Sequence, residues 1–336
     1  MTVMIALARA LGRQTAVIVF MGIFLLFTVL QGSMFTSAIN LSNISRQVAI
    51  DAPHVMGQVI VLISGGIDIS VGSVMAMSSA LTIGLQEYGA VWAVAAALAF
   101  GAAVGAVNGL LVTKGKIVPF IATLGTMGVV RGMVLAYTEQ RSIPGTIENF
   151  GFWGGGSLGM VPVPLVISLA IMIALWWFLR YTVTGRGFFA VGGDKETAYL
   201  AGVSVARFQF TAFVLSGTLA AVSGVLLASR LDSANAQIGV DTPLLSIAAA
   251  IIGGASILGG RGGVIGGFLG ITSLGMLSTG MNLMGVNTYY QIATRATVLI
   301  VVVVVDALIV NSKLSAARLP LERKMDEHLR KEVVIV

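Results

Sequence analysis

The chain has 336 residues, of which 57% are hydrophobic and 10% charged, and its mean hydropathy is +0.96. Soluble domains carry about a quarter charged residues, so this composition excludes an ordinary soluble protein and predicts a membrane protein. With no cysteine and two histidines, disulfides and thiolate or histidine-based metal sites are excluded. The net charge of +6 does not indicate a nucleic-acid partner, because the cations are spread among loops rather than gathered on one surface.

Stretches of roughly 20 apolar residues, long enough to cross the hydrocarbon core as a helix, recur along the chain. The second is the weakest, because its outer half carries Asp51, Pro53 and His54. The sequence therefore predicts an all-α polytopic membrane protein with about ten transmembrane helices. In chain order the predicted spans cover residues 15–31, 48–64, 69–85, 91–112, 117–137, 161–179, 208–228, 243–258, 264–283 and 289–310.

The positions of Lys and Arg predict the direction of the spans, because short cytoplasmic loops carry an excess of these residues. If both termini are cytoplasmic, 15 of the 20 Lys and Arg residues fall in inner segments and three in outer ones. The sequence therefore predicts a cytoplasmic N-terminus at 1–14, one transmembrane domain at 15–310 and a cytoplasmic C-terminal tail at 311–336.

The outer segment 138–160 is rich in glycine and contains Arg141 and Trp153. One interpretation is an interfacial loop with an aromatic belt. The other is a docking surface for an external partner. The residue types do not decide between these two alternatives.

The inner segment 180–207 contains a helix-forming run that follows Asp194 and stops at Gly202. Asp at an N-cap and Gly just after a helix are matched boundary signals. We therefore predict a short helix along the cytoplasmic surface. It is either an ordinary interfacial helix or the part on which a motor subunit pushes.

Spans two to five begin outside and spans seven to ten begin inside, which predicts inverted repeats. Short echoes support this: Asn108 and Asn282 fall near the ends of spans four and nine, and "IATLGT" (121–126) resembles "IATRAT" (292–297). Chance similarity between short apolar sequences is the alternative.

Two glycine runs, "ISGGIDIS" (63–70) and "IIGGASILGGRGGVIGG" (251–267), interrupt apolar stretches. Such runs indicate discontinuous helices, and these two occupy unequal places in the two groups of spans, so we interpret them as separate breaks. Asp68 lies in the first. The simplest interpretation is a carboxylate that accepts backbone N–H groups at the start of span three and so caps it. A role in a pathway or an interface is the alternative.

Two cations, Arg131 and Arg295, fall within predicted spans. Each either snorkels toward the outer surface or lines an aqueous cavity. The residues that we predict at a helix break or along a pathway are Ser64, Gly65, Gly66, Asp68, Ser70, Asn108, Arg131, Asn282 and Arg295.

Catalytic motifs are absent from the sequence. It contains no G-x-x-x-x-G-K-[S/T] phosphate loop, zinc motif, nucleophile elbow or paired catalytic carboxylates. We therefore predict a transport subunit rather than an enzyme. The energy for any pumping then comes from a partner or from an ion gradient.

Four long motifs occur in order: "ISGGIDISVGSVMA", "NGLLVTKGKIVPFIATLGTMGVVRG", "TGRGFFAVGGDKETAYLAGV" and "AAAIIGGASILGGRGGVIGG". They resemble the membrane subunits of bacterial sugar importers of the ATP-binding-cassette type, in the ribose/xylose/galactoside branch. The likeness runs from about residue 40 to residue 308. Branched-chain amino acid permeases belong to the same wider family and are the nearest rival, but "GGIDISVGS" fits the sugar branch better. An ion-coupled secondary transporter is a weaker alternative, because only Asp68 offers a buried titratable group.

The resemblance implies a bacterial inner-membrane permease that pairs with a second permease, identical or related. It also implies two cytoplasmic ATPases and a periplasmic sugar-binding protein, with ATP and Mg held by those partners and no cofactor in this chain. The family has a surface helix that engages the ATPase, which implies coupling residues Gly185, Arg186, Gly193, Asp194, Glu196, Leu200 and Gly202. Candidate residues for docking the binding protein are Arg141, Trp153 and Arg230.

Overall fold

The computed structural model describes the backbone of residues 2–304 and the side chains of residues 16–304. The predicted tail at 311–336 lies outside the described residues. In the first half of the chain the helices are α1 (Thr2–Gln31), α2 (Ser33–Thr36), α3 (Ala38–Ile63), α4 (Val71–Gly84), a 3-10 turn at Gln86–Tyr88, α5 (Ala90–Thr113) and α6 (Pro119–Thr138).

The second half of the chain is also mainly helical. Its helices are α7 (Phe152–Gly155), α8 (Val163–Tyr181), α9 (Val183–Gly193), α10 (Lys195–Leu200), α11 (Val205–Leu231), α12 (Thr242–Ile252), α13 (Val264–Leu283) and α14 (Thr288–Val304). Four two-residue strands form two antiparallel pairs, β1 (Ile143–Pro144) with β4 (Ser233–Ala234) and β2 (Ser157–Leu158) with β3 (Val161–Pro162).

Within the described residues, five helices are long and apolar enough to cross a membrane, namely α5, α6, α8, α11 and α13. Shorter apolar helices cover Ala16–Gln31, Val71–Gly84, Thr242–Ile252 and Thr288–Val304. The protein is therefore an all-α, multi-pass membrane protein. Each of the ten predicted stretches contains a helix, while ten crossings and cytoplasmic termini stay predictions. We call the end at which α3 begins the outer end and the opposite end the inner end, after the predicted orientation.

The structure corrects two helix boundaries and adds one helix. Helix α3 begins at Ala38, ten residues before the predicted second span, because its polar outer half is helical as well. Helix α12 ends at Ile252, where the prediction ran to residue 258, because the glycines that follow leave the helical path. Helix α9 was not predicted at all.

Helix α11 lies at the centre of the bundle, between α3 and α5. Glycines allow these helices to approach each other closely. A Cβ on Gly217 of α11 would collide with the backbone of Gly101 of α5. A Cβ on Gly57 of α3 would lie 2.9 Å from the Cα of Ser216. Helices that pack in lipid approach closely where such small residues meet. This contact positions α3 and α5 around α11.

Two long helices each end in an irregular segment that leads into a short helix. Residues 64–70 connect α3 to α4, and residues 232–241 connect α11 to α12. Gly72 in the first turn of α4 and Gly239 just before α12 pack backbone against backbone. The two short helices therefore begin next to each other. The order of long helix, break and short helix occurs in both groups of spans that we predict to be inverted repeats, with 64–70 in the first group and 232–241 in the second.

Candidate functional site

Asp68 lies in the break between α3 and α4 and is fully buried. Its Oδ1 accepts hydrogen bonds from the Ser70 N–H at 2.9 Å and the Ser70 hydroxyl at 2.6 Å. Its Oδ2 accepts one from the Ser216 hydroxyl at 2.8 Å. Because Ser216 lies midway along α11, the carboxylate ties the break to the central helix near mid-depth.

The network continues into α5 and α6. The Asn108 amide nitrogen donates to the Ser70 Oγ at 2.9 Å, and the Thr126 hydroxyl donates to the Asn108 Oδ1 at 2.6 Å. The structure thus brings together three of the predicted break or pathway residues, Asp68, Ser70 and Asn108. Both carboxylate oxygens and the amide already have partners, so this arrangement holds the break in place.

The predicted cap on the third span needs correction. Asp68 does accept a backbone N–H beside the start of α4, but the N-cap residue is Ser70, and no side chain among the described residues caps that end. The break begins where α3 closes: Gly65, at φ +78°, and Gly66 donate from their N–H groups to carbonyls of the last turn. The Ser64 hydroxyl donates to the Val61 carbonyl at 2.8 Å. The glycine at positive φ ends the helix in the usual way.

Arg131 does not join this network. Its Nη1 donates to the carbonyl oxygens of Ala236 and Ile238, at 2.6 and 2.8 Å. Those carbonyls belong to the break between α11 and α12. Of the two predicted roles, snorkelling and lining a cavity, the structure shows neither, because the guanidinium binds backbone that has left the helix. Irregular backbone at membrane depth needs such a partner.

The other predicted pathway residues lie elsewhere. Asn282 and Arg295 line a polar cavity at the outer end of the bundle, together with Arg230. None of the three has a hydrogen bond to the Asp68 network. The predicted set is therefore dispersed: Asp68, Ser70 and Asn108 form the buried network, Ser64, Gly65 and Gly66 close α3, Arg131 binds the break between α11 and α12, and Asn282 and Arg295 line the cavity.

The surface helix predicted from Asp194 and Gly202 is confirmed. The Asp194 Oδ1 accepts the Thr197 N–H at 2.8 Å, and this hydrogen bond holds the pKa of the Asp194 carboxyl below its usual range. Gly202, at φ +79°, ends the helix. The side chains of Tyr199 and Leu200 are 72% and 78% exposed. Helix α10 therefore presents apolar groups to the surroundings.

Three glycine-containing segments meet at the inner end of α3. The Gly260 N–H donates to the Ile63 carbonyl at 2.9 Å. Gly192 of α9 packs against the same carbonyl, and a Cβ there would come 2.7 Å from the Gly260 nitrogen. The Lys195 Cε lies 3.6 Å from where a Cβ on Gly65 would be. The segment that carries α10 therefore contacts both glycine-rich breaks.

The remaining predicted coupling residues lie on the same inner segment. Gly185 is buried against the backbone of Phe178 and Leu179, while Arg186 and Glu196 are exposed. Gly193 is exposed, and no atom of the described residues lies within 4 Å of the position of a Cβ. Their role in coupling stays a prediction.

The outer loop is folded onto α11. The Gly154 N–H donates to the Ser229 Oγ at 2.8 Å, and the Ser229 hydroxyl donates to the Phe150 carbonyl at 2.6 Å. Arg141 is exposed, and the Trp153 side chain is 54% exposed. The predicted docking residues are therefore split, because Arg230 lines the cavity instead.

Sequence reasoning missed two features. Gly192, Gly259 and Gly260 form the junction at the inner end, but a glycine pair carries no signal for its distant partner. Gln47 and Gln291 line the cavity. A signal existed for Gln47. It begins a polar stripe on α3, formed by Gln47, Asp51, His54 and Gln58, which recur at helical spacing.

Comparisons with known proteins agree with this architecture. The family model described as branched-chain amino acid transport system / permease component matches residues 40–304. The ribose import permease protein RbsC of Bacillus subtilis (strain 168) is 39% identical over 85% of this chain and 91% of its own length. RbsC of Escherichia coli (strain K12) is 37% identical over 88% of this chain and 94% of its own length.

Relatives named for other sugars are nearly as similar. The D-allose transport system permease protein AlsC of Escherichia coli (strain K12) is 32% identical over 84% of this chain and 88% of its own length. The L-arabinose ABC transporter permease protein AraH of Azospirillum brasilense is 33% identical over 90% of this chain and 91% of its own length. No solved structure matches the chain.

Proposed function

Because the chain belongs to the branched-chain amino acid transport system permease family, we propose that it is the membrane permease of an ATP-binding-cassette importer for a sugar. One observation carries the choice of substrate: relatives named for ribose, allose and arabinose align over most of this chain. The described bundle also suits a neutral solute. Sugars need hydrogen-bonding groups rather than a strong fixed charge, and few charged side chains lie within the described spans.

The energy for import comes, in this proposal, from two cytoplasmic ATPase subunits that hold ATP and Mg. The support is the inner surface formed by α10, where Tyr199 and Leu200 are largely exposed. Exposed aromatic and aliphatic side chains grouped on a short, well-capped helix favour a protein contact. The junction of Gly192 and Gly260 with Ile63 would pass a displacement of α10 to the breaks in the bundle.

The remaining partners are proposed from the family. A second permease, identical or related, completes the pathway, and a periplasmic binding protein delivers the sugar at the outer end. The exposed Arg141 and Trp153 favour contact with that protein. The protein then resides in the bacterial inner membrane with both termini in the cytoplasm.

Reconstituted uptake tests the proposal. The permease, the ATPase and the binding protein recovered with it by co-purification are placed in proteoliposomes and supplied with labelled ribose, allose, arabinose or leucine. We expect ATP-dependent accumulation of at least one of the three sugars. Accumulation of leucine alone would assign the amino acid branch. Accumulation by the permease without partners, driven by a proton or sodium gradient, would overturn the proposal.

A further inference from the structure

A cavity of about 380 Å³ lies at the outer end of α3, α11, α13 and α14. Its size falls within the range of about 300–1,000 Å³ that is typical of small-molecule sites. It does not include Asp68 or its partners. Its polar wall is formed by Gln47, Asp51, Arg230, Asn282, Gln291 and Arg295.

One side of the wall is a chain of hydrogen bonds between α11 and α3. Arg230 Nη1 donates to Gln47 Oε1 at 2.9 Å, and Gln47 Nε2 donates to Asp51 Oδ2 at 2.9 Å. The glutamine thus bridges a cation and a carboxylate. This side offers both donors and acceptors, with the two opposite charges already joined.

The other side comes from α13 and α14. Gln291 Nε2 donates to Asn282 Oδ1 at 2.7 Å, and Arg295 Nε donates to the Gln291 carbonyl at 3.4 Å. Ile271 and Leu274 add apolar surface to the same cavity. A guanidinium and amides beside apolar side chains can contact both the hydroxyl groups and the C–H groups of a polyol.

The polar face of α3 continues from the cavity into the core. Gln47, Asp51, His54 and Gln58 follow each other at spacings of four, three and four residues, so they share one face of the helix. His54 and Gln58 are fully buried, and His54 Nε2 lies 3.7 Å from Asp51 Oδ1. Within the described part of the chain, neither the His54 ring nitrogens nor the Gln58 amide group has a hydrogen-bond partner. A buried polar group without a hydrogen-bond partner is destabilising, so these two side chains are candidates for hydrogen bonds to a bound solute.

We propose that this cavity is a monosaccharide-binding site within the permease, with Asp51 and Gln291 as contacts to sugar hydroxyl groups. The inference rests on the proposed function. A neutral polyol fits better than a zwitterion, because Gln47 already joins Asp51 to Arg230. His54 and Gln58, which have no hydrogen-bond partner among the described residues, lie where the sugar's polar contacts would continue inward.

Saturation-transfer NMR tests the site on the full-length permease in lipid nanodiscs, with ribose, allose, arabinose and leucine as probes. We expect a saturable signal from a sugar and about a tenfold loss of affinity in Asp51→Asn, which removes a charged acceptor but keeps the shape. Asp232→Asn is the matched control, because Asp232 is exposed at the outer end and does not line the cavity.

A second variant blocks the cavity and leaves its hydrogen-bonded side chains unchanged. Ser278 lines the cavity, and Ser278→Leu fills it without removing any of the hydrogen bonds described above. We expect Ser278→Leu to abolish the sugar signal while its thermal unfolding matches that of the wild type. This variant separates loss of the site from loss of the fold.

The outcomes are distinguishable from a failure of the proposed function. If the wild type imports sugar with its partners, but shows no sugar signal alone or keeps it in both variants, the cavity site is wrong and the function stands. A signal from leucine and none from sugars would overturn the sugar assignment of the site. If reconstituted import carries no sugar, the proposed function itself fails.

Discussion

The Gly260 N–H donates a 2.9 Å hydrogen bond to the carbonyl of Ile63, the last residue of α3. This bond joins the glycine run at 251–267 to the beginning of the glycine run at 63–70. Gly192 of α9 packs against the same carbonyl, and α10 follows α9 directly. We call the contact among Ile63, Gly192 and Gly260 the joint. We therefore expect a displacement at the inner surface to reach the segment that carries Asp68 through these backbone contacts.

Gly192→Ala tests this joint. A Cβ there would collide with the Ile63 carbonyl, and overpacking of this kind costs about 1–3 kcal/mol. We expect lower thermal stability and a reduced ratio of sugar imported to ATP hydrolysed in proteoliposomes. The matched control is Gly193→Ala, one residue on, where a Cβ would have no neighbour within 4 Å in the part of the chain that the structure describes. Equal behaviour of the two variants would show that the joint has no role.

Asp194 makes the stability of α10 depend on pH. The hydrogen bond from the Thr197 N–H lowers the carboxyl pKa in the folded state. The contribution of the cap is therefore complete above the pKa of the unfolded chain and is lost as the pH falls through the lowered folded value. We expect the Thr197 amide, corrected for intrinsic exchange, to lose protection in acid.

In Asp194→Asn that protection should be independent of pH over the same range, because an amide oxygen still accepts the bond but does not titrate. Asp194→Ala should lose the protection at every pH. An acid-dependent loss that persists in Asp194→Asn would assign the effect to another group.

Asp68 has a structural role that conservative substitution distinguishes. Asp68→Ala removes three accepted hydrogen bonds and leaves buried donors on Ser70 and Ser216, at about 1–3 kcal/mol for each group left unpaired. Asp68→Asn keeps one acceptor oxygen, and the Ser216 hydroxyl can accept from the new amide. We expect Asp68→Ala to be the less stable of the two in thermal unfolding, with the preference among sugars unchanged. A changed preference would place Asp68 in the pathway.

Arg131 supports the break between α11 and α12. Arg131→Met keeps an unbranched apolar stem but removes the guanidinium, which leaves the carbonyls of Ala236 and Ile238 without their donor. We expect faster hydrogen exchange across residues 235–240, measured by mass spectrometry. Arg141→Met, on the exposed outer loop, is the control and should leave that exchange unchanged. Equal exchange in the two variants would contradict the role.

Substitution of Gln58 tests whether the polar stripe on α3 serves transport rather than stability. Gln58→Leu replaces an amide group that has no partner in the described part of the chain with an apolar group of similar size, which is neutral or stabilising in a buried position. If sugar follows the polar stripe on α3, uptake falls although thermal stability is kept or rises. Gln237→Leu is the control and should leave uptake unchanged, because Gln237 is exposed in the break between α11 and α12. Normal uptake by Gln58→Leu would exclude the stripe as a route.

The sequence determined the features that depend on neighbours along the chain. Apolar runs marked the helices, and Asp194 and Gly202 marked the ends of α10, because N-caps and glycine caps act within a few residues. Gly65 marked the end of α3 for the same reason. The four ordered motifs predicted the family, since each contains many residues in a specific order.

Only the tertiary structure decided which distant groups meet. Asp68 accepts a hydrogen bond from Ser216, 148 residues away, and no local pattern encodes that pairing. The contacts of Gly72 with Gly239 and of Gly192 with Gly260 are equally hidden, because a glycine is selected by the space that its neighbours leave and not by its own side chain. The structure places Asp68 in a buried network and Arg295 on a cavity wall for the same reason. Burial depends on how the helices pack, while composition reports only that they are apolar.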